Sequence, residues 1–500
     1  MSKTNIKTVF VQEQKRYTQD EICNLFSISE EKAVLIIKKL KEYGVLKTVN
    51  AKTAKSLTDL VEEDIVIADV VVGDDSFYHV FTFVGVIIVF GIVIKSCPKY
   101  LKLEYSEVEL NREIKRVIQV LDKYNNSKEQ IISFYNDNLG TKSFNLLAVT
   151  LFLIKDYFDY GLYTNQEMII ETNGDSDIVW DRTINETYSI LSNGRPYYVE
   201  LKTRKRVDNE FDFIRRIHKY VLNRCNESLK EAALLDVFDL IEIDVPDEDI
   251  DVLGDKEYIL YKIEQELSTQ FNTHKQLLLK TLYSFIAQAG GIKDVETFSI
   301  FGTTSYNLVW EEACKVAFNS SLNRRLGELM VDLSENYKKK KNKTLIELID
   351  KPIWRGKKWK EGIKADKTLI PDLISVEKKA FRIFDAKYYN LRMEANESLS
   401  GNPGIESITK QYLYQVAYQD FVKECNITTI TNAFLFPTDG NSCINKGTVS
   451  LEMMQLINTL DGKPLKPIQV ILLPAKEIFN CYLKNISYPI EKLELDNESM

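Results

Sequence analysis

The stretch that decides the fold is Ile370-Pro371-Asp372 with, thirteen positions beyond that aspartate, Asp385 in Phe384-Asp385-Ala386-Lys387. The flanks read as two strands, Thr368–Val376 and Ala380–Tyr389, the second carrying the Phe, Ile and Tyr residues that strands favour. Lys378-Lys379 falls in the turn between them. A hairpin centred there sets Val376 against Phe381, and counting outward in antiparallel register brings Asp372 opposite Asp385. Directly opposed carboxylates destabilise a plain hairpin. A bound cation reverses that sign. Lys387, two residues past Asp385, projects from the same face of its strand. One local unit thus offers two hard oxygen ligands and an ammonium; the bland alternative is a polar-faced hairpin with a surface Asp–Lys pair.

The trio suits phosphodiester hydrolysis and is similar to the metal site of PD-(D/E)xK nucleases. Mg²⁺ prefers carboxylates, keeps several waters, and binds through one or two protein acids plus substrate phosphate. It lowers the pKa of a bound water and neutralises charge developing on the phosphate. Lys387 is expected to orient or deprotonate the attacking water, or to offset phosphate charge.

The run Asp385-Ala386-Lys387-Tyr388-Tyr389 resembles a strand of the LlaJI-type restriction endonuclease family, relatives of the McrC nuclease subunit. The resemblance continues in order through Val84-Gly85-Val86, Cys97-Pro98-Lys99-Tyr100, Asp177–Ile184, Val309-Trp310-Glu311, Lys410–Tyr414, Asn432–Pro437 and Val470–Ala475. It implies Asp372, Asp385 and the Ala386 backbone carbonyl as Mg²⁺ ligands, with Mn²⁺ able to substitute. It also implies an extra carboxylate from the helix before the hairpin. Glu311, in Val-Trp-Glu, fits that role better than Glu312, and solvation of both is the competing reading. Gln411 would orient the lysine, a water or DNA. The implied partners are double-stranded DNA, a separate McrB-like AAA+ GTPase and a cognate methyltransferase, with no membrane. A competing class is a non-cleaving DNA-binding or adaptor protein that uses an N-terminal helix-turn-helix; intact Asp372, Asp385 and Lys387 argue against it.

Other features bound the reading. No G-x-x-x-x-G-K-[ST] phosphate loop occurs, so nucleotide hydrolysis is not expected of this chain. Seven cysteines without C-x-x-C spacing read as free thiols in a reducing cytoplasm, the expected location. His79, His218 and His274 are scattered, which disfavours a His-based zinc site; His218 reads as a surface or packing residue. The apolar run Val80–Ile94 is too short for a membrane span and reads as two buried strands meeting near Val89–Gly91. Net charge is −8, but Lys338–Lys367 holds twelve Lys/Arg against four Asp/Glu, interleaved with Trp354 and Trp359. That basic stretch lies just upstream of the hairpin, where it can contact a phosphate backbone or merely keep the domain solvated.

The expected organisation is α+β and multidomain. Residues 1–60 read as a winged-helix or helix-turn-helix unit: a Thr18/Glu21 capping box, a Ser29-capped helix with Ala33, Ile36, Ile37 and Leu40 buried, a stop at Gly44 and a wing strand Val45–Val49. Its Lys32, Lys38, Lys39 and Lys41 fit DNA or a protein equally well. Residues 61–293 read as a β-rich then helical partner-docking region. It has strands near Met168–Glu171, Asp177–Trp180 and Tyr197–Leu201, a buried Trp180, and then helices that include a long amphipathic segment, Lys256–Gln288. Residues 294–500 read as a restriction-endonuclease-like α/β domain with a mixed sheet: a helix Ser305–Phe318, the hairpin, a helix Ser407–Val422, and strands Thr431–Phe436 and Ile468–Leu473.

Overall fold

The computed structural model describes residues 7–50, 77–126, 145–209, 211–288, 298–357, 362–396, 398–455, 457, 462 and 464–495. The expected boundaries at 60/61 and 293/294, and Trp359, lie outside those residues. The described residues fall into two compact units. One draws on Ser143–Asp236 and Leu240–Ser299, the other on Lys7–Lys142, Val237–Asp239 and Ile300–Met500.

The first unit gathers helices Leu146–Tyr160, Phe213–Glu231, Lys256–Thr269 and Thr273–Gln288. The long amphipathic segment expected over Lys256–Gln288 forms two helices. Asn272 accepts the backbone N–H groups of His274 and Lys275 on its side chain, which caps a new start. His218 is buried, and its Nδ1 accepts the Tyr163 N–H at 3.1 Å, so it is a packing residue. Strand Gln166–Thr172 pairs antiparallel with Lys202–Asp208. Between them the strand expected at Asp177–Trp180 is reduced to one bridge, Ile178 to Thr203, and Trp180 instead opens a helix, Trp180–Glu186. The expectation of a buried Trp180 fails as well; it is 54% exposed. The strand expected at Tyr197–Leu201 is a hairpin, Ser189–Ser192 with Arg195–Tyr198, turning on Asn193-Gly194, both at positive φ. Asn-Gly between two short strands is the signal that finds such a turn.

In the second unit the N-terminal helices match the sequence closely. Thr18 and Glu21 cap Gln19–Phe26 reciprocally, and Glu30–Glu42 buries Ala33, Ile36, Ile37 and Leu40. Strand Leu46–Asn50 comes next and pairs with Phe77–Phe81. The apolar run forms Val84–Val89 and Ile92–Cys97, turning on Phe90-Gly91, both at positive φ, inside a four-stranded sheet with Lys7–Gln12 and Phe298–Thr303. Gly85 is required there: a Cβ would stand 2.1 Å from the Phe301 carbonyl oxygen. No described helix is long and apolar enough to cross a membrane.

A five-stranded mixed sheet carries the hairpin. Its strands are β1 (Leu373–Glu377), β2 (Ala380–Ala386), β3 (Thr429–Thr438), β4 (Ile444–Val449) and β5 (Ile468–Pro474), in the order β1-β2-β3-β5-β4. β2, β3 and β5 run parallel, while β1 and β4 are antiparallel edges. Three helices pack against this sheet: α1 (Tyr306–Ala317), α2 (Ile405–Ala417) and α3 (Ala475–Lys484). The helix expected to run on to Val422 stops at Ala417, and a second begins at Gln419. Phe381 and Ile383 of β2 share one core with Tyr414 and Tyr418 on the α2 side. Phe384, on the opposite face, packs on Phe318 at the end of α1.

Candidate active site

β1 and β2 pair with Val376 against Phe381 and Leu373 against Phe384. Extending that register by one residue sets Asp372 opposite Asp385, as the turn position predicts. The first strand is shorter than the sequence suggests because Pro371 has no N–H for the ladder. Asp372 therefore sits just before the strand, and its Oδ2 accepts the Ala386 backbone N–H at 3.1 Å. Ala386, whose carbonyl is an expected ligand, is the last residue of β2.

The two carboxylates lie close enough for a hydrogen bond between them. Burial, that bond and the Asp385 charge push the Asp372 pKa up to about 8. Lys387 Nζ lies 2.8 Å from Asp385 Oδ1. Burial works against the Lys387 ammonium, but the Asp385 and Asp372 carboxylates outweigh it and raise its pKa. Lys387 is held as a cation beside a carboxylate pair that retains a proton. Such a pair gains from any cation that replaces the proton with more charge.

The surroundings fix this geometry through partners the sequence does not announce. The Lys387 backbone N–H donates to the Leu435 carbonyl of β3 at 2.9 Å. The buried indole Nε1–H of Trp310 donates to the same oxygen at 3.1 Å. Tyr414 of α2 donates its hydroxyl to the Ile370 carbonyl at 2.9 Å, two residues before Asp372. Tyr388 donates its hydroxyl to Glu13 Oε2 at 2.5 Å.

The other expected site residues are each held by a partner outside this trio. Glu311 is on α1, and its Oε1 is held by Lys315 Nζ at 2.5 Å. Gln411 is fully buried in α2; its Nε2 donates to the Ala433 carbonyl of β3 at 3.3 Å, and its backbone carbonyl accepts from Asn432 Nδ2, while its Oε1 is buried without a hydrogen-bond partner. Among the described residues, no group of three or more His, Cys, Asp or Glu side chains is placed to hold a metal. The protein's share of any cation site here is the Asp372–Asp385 pair and neighbouring backbone oxygen. In the basic stretch, Lys338 to Lys341, Lys343, Lys351, Arg355, Lys357, Lys364 and Lys367 are exposed, as is Trp354.

The model of the LlaJI restriction endonuclease family matches residues 83–475. The chain belongs to the LlaJI restriction endonuclease family. The carboxylate pair and Lys387 fall within the matched span, as do Gly85 and Trp310. The type II restriction enzyme BsuMI component YdjA of Bacillus subtilis (strain 168) is 27% identical to this LlaJI-family chain over 428 residues, covering 84% of each. A half-complex from a tetradecameric assembly of Thermococcus gammatolerans McrB AAA+ hexamers with bound McrC aligns at TM-score 0.36 and 13% identity, over 96% of this chain and 100% of that one. A cryo-EM structure of the Thermococcus gammatolerans McrBC complex aligns at TM-score 0.23 and 13% identity, over 61% of this chain and 85% of that one.

Proposed function

We propose that this LlaJI-family chain is the Mg²⁺-dependent nuclease subunit of a restriction system that defends against foreign DNA, hydrolysing phosphodiester bonds in double-stranded DNA at a PD-(D/E)xK site. The observation that carries the reading is the carboxylate pair: Asp372 opposite Asp385 in register, with Lys387 Nζ 2.8 Å from Asp385. Buried acids facing each other are costly unless a cation joins them. Their all-oxygen donor set fits Mg²⁺, or Mn²⁺ in its place, with waters and substrate phosphate supplying the other ligands. When bound, the ion supplies charge neutralisation and a more acidic water.

In this reading Asp372, Asp385 and the Ala386 carbonyl hold the metal. Lys387 stays an ammonium, because both carboxylates raise its pKa; it offsets negative charge on the phosphate and orients the attacking water rather than taking its proton. Glu311 can join only by leaving Lys315, and Gln411 serves by tying α2 to β3. The exposed lysines of 338–364 contact the DNA backbone, and the N-terminal helices form a winged-helix-like module. A separate McrB-like AAA+ GTPase activates the subunit, and a cognate methyltransferase protects the host. The absence of a phosphate loop from the sequence and the net charge of −8 support dependence on a partner.

The test is cleavage by the purified chain, with and without its partner GTPase and Mg²⁺. Asp372→Ala, Asp385→Ala and Lys387→Ala should each abolish cutting while the thermal unfolding transition stays cooperative. Full Mg²⁺-dependent cleavage by either aspartate variant would remove the site assignment. Efficient sequence-specific cutting by the chain alone would remove the activation step. DNA binding without cleavage under every condition would favour the adaptor class.

A further inference from the structure

At the carboxyl edge of the sheet that carries the carboxylate pair lies a polar crevice of about 370 Å³ lined by Tyr100, Lys102, Tyr105, Asn390, Thr438 and Asp439, among others. β2, β3 and β5 are parallel, so their carboxyl ends share one edge, where open α/β sheets place their ligands. β2 ends in the residues that lead to Lys387 and then Asn390; β3 ends in Pro437-Thr438, with Asp439 next in the chain. Adjacent strands lie about 4.8 Å apart. Asp439 lies four residues beyond Leu435, the partner of Ala386 at the end of β2, so the crevice is roughly 10–15 Å from the end of the catalytic strand, or about three to four base-pair steps along a duplex.

We propose that this crevice reads a base pair a few steps from the scissile phosphate, with Asp439 accepting a hydrogen bond from the exocyclic amino group of cytosine or adenine. The inference rests on the nuclease reading and adds a specificity residue to it.

Asp439 carries the argument. It is 8% exposed, its Oδ2 accepts the Lys102 backbone N–H at 3.4 Å, and its Oδ1 is buried without a hydrogen-bond partner. The Tyr105 hydroxyl lies against the same carboxylate, and its pKa is pushed up to about 12 mainly by that hydrogen-bonding neighbour. Lys102 and Tyr105 engage the carboxylate from one side, and Oδ1 keeps no hydrogen-bond partner of its own. An unpaired buried acceptor is costly, and a carboxylate facing a polyanion is repelled. A donor on the ligand removes both penalties. In the major groove only cytosine N4 and adenine N6 offer one; thymine O4 and guanine O6 and N7 are acceptors. The wall is firm, because Tyr100 is held between Tyr388 and Phe479, with ring centroids 6.3 and 6.4 Å away. The exposed side chain of Lys102 is placed to meet the flanking phosphate.

The experiment uses the full chain carrying Lys387→Ala, so that DNA stays intact, with a pool of duplexes randomised over a short window and Mg²⁺ present. Sequencing the bound fraction should reveal a position where cytosine or adenine is preferred at least fivefold over thymine and guanine. Adding Asp439→Asn keeps an acceptor for Lys102 but presents an amide donor, so that preference should vanish or invert while preferences elsewhere persist. A second readout does not depend on the variant folding. Replacing the preferred cytosine by pyrimidin-2-one, or adenine by purine, deletes only the amino group and should weaken binding at least fivefold. Unchanged affinity for those duplexes, or an Asp439→Asn profile identical to its parent, would overturn the subsite alone. The same selection is run with the partner GTPase added, and no binding to any DNA even then would overturn the nuclease reading and the subsite with it.

Discussion

Trp310 and Lys387 meet at one oxygen: the Leu435 carbonyl accepts the indole N–H at 3.1 Å and the lysine's backbone N–H at 2.9 Å. α1 is thereby tied to the strand neighbouring the candidate active site at the level of the lysine itself. The residue that matters in Val309-Trp310-Glu311 is then the tryptophan as much as the glutamate. Trp310 is also fully buried, with its ring 5.7 Å from that of Phe479 on α3.

Trp310→Phe keeps an aromatic ring and removes the donor. The expected cost is about 1–3 kcal/mol of stability, from a missing hydrogen bond and a partly unfilled site. Cleavage should fall with kcat rather than with DNA affinity, since Lys387 loses part of its backbone support. Denaturant unfolding and single-turnover cleavage measure the two effects. A normal cleavage rate in a destabilised protein would confine Trp310 to packing.

The raised pKa of Asp372 has a stability consequence with a definite sign. Unfolded, the carboxyl ionises near its ordinary value of 3.8; folded, burial and Asp385 hold the proton until about pH 8. Between those values the folded state binds more protons than the unfolded one, so this group's contribution to stability falls as pH rises and is fully lost above about 8. Asp372→Asn removes the titration. In EDTA, its stability advantage over the natural chain, followed as the gap in Tm, should be smallest near pH 4, grow through neutrality and level off above pH 8, reaching on the order of a few kcal/mol in free energy. Mg²⁺ should stabilise the natural chain and leave Asp372→Asn unmoved. A Tm gap that is flat with pH would refute the shared proton.

The parts of this site that are legible in the sequence are those set by local rules. A two-residue turn at Lys378-Lys379 and strict alternation fix which carboxylate faces which. The helix Glu30–Glu42, with its buried Ala33, Ile36, Ile37 and Leu40, obeys 3.6-residue spacing in the same way, although Ser29 stands at its N-cap without a side-chain hydrogen bond. What stays hidden depends on long-range partners. Glu13 and Tyr388 are 375 positions apart, and Leu435 acts through its backbone, which no side-chain pattern encodes. Gln411 is visible as a helix position, but its partner is the carbonyl of Ala433 on a strand further along the chain. The hairpin at Asn193-Gly194 has a local signal that strand propensity alone overlooks. The break at Asn272 has one too, in a capping residue set within an amphipathic run.

Glu13 and Tyr388 form the link that joins the N-terminal segment to the lysine strand. Glu13 Oε2 accepts the Tyr388 hydroxyl at 2.5 Å and the Lys99 N–H at 3.3 Å, and burial raises the acid's pKa. Tyr388→Phe leaves the carboxylate with the weaker donor and should cost about 1–3 kcal/mol. Because Tyr388 follows Lys387 directly, cleavage should fall too, while Glu13→Gln, which keeps an acceptor, should be milder in both respects. Equal and small effects from the two variants would show that this hydrogen bond does not position the lysine. Deleting residues 1–100 would remove Glu13 and disturb the hairpin's surroundings, so point variants are the better probe of any docking role.

The exposed basic stretch can be tested by salt. Lys338, Lys339, Lys340, Lys341 and Lys343 are all exposed, and the short ribbon of Ile353–Trp354 with Ile363–Lys364 presents Trp354, Arg355, Lys357 and Lys364 to solvent. Lys338 is partly engaged by Glu335 at 2.7 Å, an exposed pair that is easily exchanged for a phosphate. Neutralising Lys339, Lys341, Arg355 and Lys364 together should weaken binding about equally for every DNA sequence. Each phosphate left without its cation should lower the slope of log K against log salt by about 0.9. Cleavage at saturating DNA should be unchanged, because none of these groups touches the carboxylate pair. An unaltered salt slope with loss of partner stimulation would move this surface from the DNA to the GTPase.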